Sequence, residues 1–295
     1  MSKTLKILSR PKGNAEEYGK WSVNPYIGCC HGCLYCYLKK GPSGAYLGQD
    51  SPVLKKGVVN DEHAYHLAMA EIIENREEIV KDGGLFMTFT SDPLAHEVYV
   101  LFAKIANECA RLAVPVTILT KSTMFMDTRS CEELRCASVG WTLTGHDELE
   151  PNAAPNDFRI EAMKCLSERG YRTWASIEPV ITFDASFEMI KQAVDAGCQH
   201  FKIGLMTKNT KVCRGGFSFG GHDFAPYKMD ECVDFVEYVM ALTDGRATVY
   251  WKQSFVDYLQ QSEKHPQPVR GMTAREFLSQ WKHSVSKDWS MFNNK

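Results

Sequence analysis

Cys29, Cys33 and Cys36 stand in C-x3-C-x2-C spacing within the run Asn24-Pro25-Tyr26-Ile27-Gly28-Cys29-Cys30-His31-Gly32-Cys33-Leu34-Tyr35-Cys36-Tyr37. Thiolates are soft ligands, suited to zinc and to iron-sulfur clusters. This spacing lets one short loop wrap three of them around a single face of a cubane, which leaves a fourth iron open to a ligand from outside the chain. Cys30 makes a second frame, C-x2-C-x2-C with Cys33 and Cys36. A fourth donor from His31 or Cys30 would close the site as a structural zinc knot. Against zinc, no second cysteine pair follows at finger-like spacing, and the position of Cys29 directly after Gly28 favours it as first ligand.

The elements that must carry this loop alternate short β-like runs with amphipathic helical stretches, the rhythm of βαβ units around a parallel sheet. The pattern predicts strands at Trp21 to Tyr26, Leu85 to Thr90, Val116 to Thr120, Val139 to Thr144, Arg172 to Ile177 and His200 to Leu205. Helices are predicted at Asp61 to Lys81, Ala95 to Leu112, Thr128 to Cys136, Asn156 to Arg169 and Ala185 to Ala196, with Gly170 and Gly197 as stop signals. After the sixth strand come a glycine-rich stretch, Arg214 to His222, read as a mobile loop, and an amphipathic helix at Met229 to Leu242. A β-like run at Ala247 to Trp251 and short helices near Ser254 to Ser262 and Thr273 to Trp281 read as an appendage. Ser91, Asp92, Lys121, Thr144 and Glu178 fall at or just beyond the ends of these predicted strands.

The chain has 295 residues, enough for one large α/β domain or two small ones. Its net charge of -2 denies it the broad basic field of a protein that holds nucleic acid by bulk electrostatics. The polar, basic start at Met1 to Lys12 lacks the apolar core of a secretory signal, and no stretch has the apolar length of a membrane span, so the expected location is the cytoplasm. In that reducing compartment the eleven cysteines are not expected to form a disulfide framework.

The cysteine motif, with the aromatic Tyr35 just before its last cysteine, resembles the hallmark of the radical S-adenosylmethionine (SAM) superfamily. The wider run resembles its spore photoproduct lyase-like branch, which includes DNA repair photolyase-like proteins. The resemblance continues through Thr90-Ser91-Asp92-Pro93 with Glu97, Thr120-Lys121-Ser122 with Asp127, and Glu150-Pro151-Asn152-Ala153-Ala154-Pro155 with Arg159. It implies an α/β fold, a partial (β/α)6 TIM-type barrel with a small C-terminal appendage. Residues 1–20 would form an N-terminal extension, 21–210 the core, and 211–295 the glycine-rich loop and appendage. It further implies a [4Fe-4S] cluster on Cys29, Cys33 and Cys36, with SAM across the strand ends. Ser91 and Asp92 would meet the methionine amino end, Lys121 its carboxylate, Tyr35 the adenine through backbone groups, and Glu178 the ribose or amino group, with Thr144 at a further strand end.

The activity so implied is one-electron reduction of the cluster by an external flavodoxin- or ferredoxin-like donor, then cleavage of SAM to methionine and a 5'-deoxyadenosyl radical. The substrate expected by analogy is related to nucleic acid, and the centre is oxygen-sensitive. Phe89 stands where the branch carries a hydrogen-donating cysteine, so thymine dimer repair is not expected. Of the remaining cysteines, Cys109, Cys131, Cys136, Cys165 and Cys198 read as buried small hydrophobes, and Cys213 lies beside the glycine loop. Two other functions compete. Radical modification of a peptide is disfavoured by the lack of a cysteine cluster after Cys232, and the other is a zinc-stabilised binding module without catalysis.

Overall fold

Runs such as Val116-Thr117-Ile118-Leu119-Thr120 carry apolar or β-branched residues on both faces, the composition of a strand covered on each side. In the computed structural model these runs are strands of one sheet, with β1 (Leu8–Ser9), β2 (Ser22–Val23), β5 (Leu85–Met87), β6 (Val116–Thr120), β7 (Ala137–Thr142), β8 (Arg172–Val180), β9 (His200–Leu205) and β12 (Thr248–Trp251) neighbours in that order. The structure describes residues 5–127, 132, 134–206 and 216–260. Pairings β2 to β5, β5 to β6, β8 to β9 and β9 to β12 are parallel, and β1 joins β2 antiparallel.

One compact unit comprises Met1–Gly140 and Glu150–Ala162. Its strands are β1 (Leu8–Ser9), β2 (Ser22–Val23), β3 (Tyr26–Ile27), β4 (Val53–Leu54), β5 (Leu85–Met87) and β6 (Val116–Thr120), with most of β7 (Ala137–Thr142). Its helices are α1 (Gly44–Leu47), α2 (Asp61–Glu74), α3 (Arg76–Lys81), α4 (Tyr99–Arg111) and the first half of α5 (Asn156–Glu168). The carboxamide oxygen of Asn60 caps α2 by accepting from the His63 amide at 2.8 Å. Helix α4 buries Leu101, Phe102, Ile105, Ala106 and Cys109, one apolar stripe at helical spacing. The single helix expected over Asp61 to Lys81 is broken at Asn75, whose side chain turns back to the Glu71 carbonyl at 2.8 Å. The strand expected over Leu85 to Thr90 ends at Met87, because Thr88 takes a left-handed φ of +50°.

The second unit comprises Trp141–Leu149 and Met163–Lys295. It contains β8 (Arg172–Val180), β9 (His200–Leu205), β10 (Phe217–Phe219), β11 (His222–Phe224) and β12 (Thr248–Trp251), with α6 (Phe183–Asp195), α7 (Met229–Thr243) and α8 (Gln253–Gln260). Its aromatic core includes Phe183 and Phe235 with ring centres 5.2 Å apart, and Trp251 and Phe255 at 4.5 Å. Where a mobile loop was expected, residues 217–224 form a β-hairpin with Phe217 and Phe224 stacked at 5.3 Å. The rest of that loop, Cys213, Cys131, most of the helix expected at Thr128 to Cys136, and the helix at Thr273 to Trp281 lie outside the described residues. Cys109 and Cys198 are buried as expected, whereas Cys136 is exposed and Cys165 half-buried. No helix among the described residues is long and apolar enough to cross a membrane.

Candidate functional site

The cysteine loop leaves β3 through Gly28, which adopts φ +87°; a Cβ there would stand 2.4 Å from the Ser51 carbonyl oxygen and 2.6 Å from Cβ of Gln49. Only glycine fits that elbow. The Cys29 amide then donates to the Gln49 carbonyl at 3.1 Å, and the Cys36 amide to the Cys33 carbonyl at 3.1 Å, closing a tight turn around the last two cysteines. From the other side Asn152 holds the loop, its amide donating to the His31 carbonyl at 3.1 Å and its side chain to the Cys30 carbonyl at 3.2 Å.

Asp92, just past β5, ties this loop to the neighbouring strand ends. Oδ2 accepts from His31 Nε2 at 2.9 Å and from the Lys121 amide at 2.8 Å. Oδ1 accepts from Thr120 Oγ1 at 2.6 Å and from the Leu94 amide at 2.9 Å. Burial alone would raise this carboxyl, but the His31 ring and the hydrogen bonds outweigh it and hold Asp92 at about 2. Burial likewise opposes charge on His31, and Asp92 overcomes it, lifting the ring to about 9. The pair is therefore ionic at neutral pH.

Behind the loop lies a buried charged network. Arg159 and Glu150 pair at 2.6 Å with both side chains fully enclosed, Glu150 also accepts from the Tyr35 hydroxyl, and Arg159 Nε donates to the Ala154 carbonyl at 2.6 Å. The Ala154 amide donates in turn to the Lys121 carbonyl at 3.1 Å, so the Glu150 to Arg159 segment braces both the loop and the end of β6. Lys121 Nζ lies 5.6 Å above the Tyr35 ring. Burial disfavours its charge, yet the Cys33 sulfur and Glu150 more than offset this and keep it ammonium.

The donor set fits a soft metal centre. Burial pushes the Cys33 thiol up to about 11, and hydrogen bonding to Cys30 together with burial raises Cys29, so these two thiols ionise readily only against a cation. Among the described residues no three His, Cys, Asp or Glu side chains are already drawn to metal-binding geometry. Ser91 Oγ is enclosed and finds no hydrogen-bond partner among the described residues, a polar atom awaiting a ligand. Cys30 Sγ lies 3.7 Å from the Glu97 carboxylate.

Ser91, Asp92, Lys121, Tyr35 and the three cysteines therefore share the first unit, while Thr144 and Glu178 belong to the second. Thr144 is buried beyond β7 and accepts from the His146 amide at 3.3 Å. Glu178, inside β8, pairs with Lys252 at 2.5 Å. Sequence reasoning assigned no role to Lys252 or Asn152. Lys252 was detectable as a charge directly after an apolar strand run, and Asn152 lies in the Glu150 to Pro155 run that carries the resemblance, without a role of its own there.

No family model matches the chain. An uncharacterized protein of Methanocaldococcus jannaschii is 27% identical over 178 residues, 55% of this chain and 61% of that protein, so the chain spans about three fifths of its relative's length. A cysteine-to-serine variant of spore photoproduct lyase superposes with a TM-score of 0.62 at 15% identity, over 85% of this chain and 80% of that one. Another variant of that lyase, with bound AdoMet and dinucleoside spore photoproduct, gives 0.58 at 15% identity, over 85% and 81%. SuiB of Streptococcus suis bound to S-adenosylmethionine gives 0.55 at 14% identity, over 80% of this chain and 51% of that one. The chain shares the α/β partial-barrel fold of these proteins, and the expected fold class is borne out.

Proposed function

We propose that this chain is a radical SAM enzyme that holds a [4Fe-4S] cluster on Cys29, Cys33 and Cys36 and acts on a nucleic-acid-related substrate. The observation that carries this reading is the His31 to Asp92 clasp, which sets the three-thiol loop beside the ends of β5 and β6 in a fold shared with two proteins solved with SAM bound. When bound, the cluster and SAM supply reductive cleavage of a carbon-sulfur bond, yielding methionine and a 5'-deoxyadenosyl radical.

The chain's own residues bind and orient. Lys121, kept ammonium in its half-buried place, matches the SAM carboxylate, and the unpartnered Ser91 hydroxyl matches the amino end. Asp92, already accepting four hydrogen bonds, acts by keeping Ser91 and the loop in place. Tyr35, anchored through its hydroxyl to Glu150, leaves its backbone for the adenine. The sequence resemblance assigns the remaining SAM contacts to Glu178 and Thr144. Cys30 is left out of the ligand set on the C-x3-C-x2-C motif, in which Cys29 follows Gly28 directly.

A substrate related to nucleotides is supported by the dinucleoside spore photoproduct bound to the structurally similar lyase. Phe89 stacks on Phe86 at 4.4 Å in the place of the branch's hydrogen-donating cysteine, which argues against thymine dimer repair itself. An external flavodoxin- or ferredoxin-like donor in the cytoplasm would supply the electron.

Anaerobic reconstitution tests the reading. A brown protein with about four irons per chain, which forms 5'-deoxyadenosine from SAM once reduced, supports it. Stoichiometric zinc, no colour and no cleavage would identify a binding module instead.

A further inference from the structure

We infer that Lys252 is a positioning residue which reaches across an intervening strand to hold Glu178 for the ribose hydroxyls of SAM, in preference to its amino group. This rests on the reading of Glu178 as a SAM contact. Glu178 lies on β8 and Lys252 just past β12, two strands that each pair with β9 and not with one another. With neighbouring strands about 4.8 Å apart, the two carriers stand about 10 Å from each other. Lys252 Nζ nevertheless comes within 2.5 Å of Glu178 Oε2.

Gly204 on β9 makes the crossing possible. A Cβ at that position would stand 2.9 Å from Glu178 Oε1 and 3.0 Å from Lys252 Cδ, so any side chain there would push into the pair. Lys252 is 2% exposed, and an ammonium so enclosed is tolerable only with its charge answered. The short charged contact fixes the rotamer of the Glu178 carboxylate.

The same contact sets what that carboxylate can accept. Its negative charge is already balanced by the adjacent ammonium, so a second cation such as the SAM amino group would meet the charge of Lys252. A neutral hydroxyl donor meets no such opposition. The ribose, with two vicinal hydroxyls, is the part of SAM that fits.

The test uses the full chain, anaerobically reconstituted, with iron content and SAM dissociation constant measured separately by chemical assay and equilibrium dialysis. Competition with 5'-deoxyadenosine, which has the ribose without the amino acid, and with methionine separates the two ends of SAM. Lys252→Met is expected to keep its cluster and to weaken SAM and 5'-deoxyadenosine by about tenfold while leaving methionine unchanged. Lys252→Arg should recover most of that loss, and Gly204→Ala should reproduce it. Should Lys252→Met misfold with its carboxylate left unanswered, the Glu178→Gln/Lys252→Met double variant carries the test: it should bind SAM as weakly as Glu178→Gln alone. Unchanged SAM affinity, a loss confined to methionine, or a double variant weaker than Glu178→Gln overturns the inference while the enzyme reading stands. Wild-type protein that takes up no iron or binds no SAM overturns both.

Discussion

Nε2 of His31 donates to Oδ2 of Asp92 across 2.9 Å, with each side chain only 7% exposed. This one contact joins the middle of the cysteine loop to the end of β5, and the same carboxylate binds the Lys121 amide beyond β6. The cysteine loop is thus held to two neighbouring strand ends by a single side chain.

Removing that side chain is expected to cost stability and iron together. Asp92→Ala removes the charge that keeps the His31 ring protonated and strips the acceptor from the Thr120, Lys121 and Leu94 donors, a loss of about 3–5 kcal/mol by analogy with other broken buried pairs. Urea unfolding midpoints and iron per chain after reconstitution are the measurements. Wild-type values of both would show that the loop is held by other means.

The ligand frame is decided by two alanine variants. Cys29→Ala should lose both the cluster absorbance and 5'-deoxyadenosine formation, whereas Cys30→Ala should keep both. The reverse pattern would move the first ligand by one residue.

The enclosed Glu150 and Arg159 pair calls for a comparison of single and double changes. Arg159→Met strands a carboxylate at a fully buried position and should destabilise the protein by about 3–5 kcal/mol, whereas Glu150→Leu/Arg159→Met removes both charges and should regain most of it. Equal instability of the two variants would mean that packing and the Tyr35 contact, not the charge pair, carry the site.

Acid sensitivity should have a source in the second unit. Burial, aided by the charge of Lys202, lowers the His200 ring from 6.5 to about 3. Between those values the unfolded chain binds a proton that the folded chain refuses, so stability falls as pH drops through 6.5 and levels off near 3. His200→Gln should flatten this part of the stability profile followed by denaturant unfolding at stepped pH. A slope identical to wild type would show that the ring is charged in the folded state.

Much of the barrel was legible because continuous apolar runs with glycine stops admit few alternatives: Val116–Thr120 and His200–Leu205 begin and end where the pattern places them. The break at Asn75 was hidden because asparagine is tolerated inside helices and its turn toward the Glu71 carbonyl depends on local geometry. The hairpin over residues 217–224 was read as loop because its glycines were counted before its alternation. Gly220 and Gly221, at φ +55° and +87°, form the two-residue turn that alternating Phe217 and Phe219 lead into. In the site, the cysteine spacing announced its chemistry, since the ligands lie in one short segment. The partnerships of Asp92 with His31, Asn152 with Cys30 and Lys252 with Glu178 join residues 61, 122 and 74 positions apart, and no local pattern encodes them.

Gly28 also bears on how the centre would be assembled. A side chain at that point would collide with the Ser51 carbonyl and with Gln49, so the direction in which the loop leaves β3 is written into the chain itself. Loading then requires three side chains to swing and shed protons, with little chain entropy left to surrender. On the proposed function, such a cradle would be filled after synthesis, emptied by oxygen and filled again without the polypeptide being made anew.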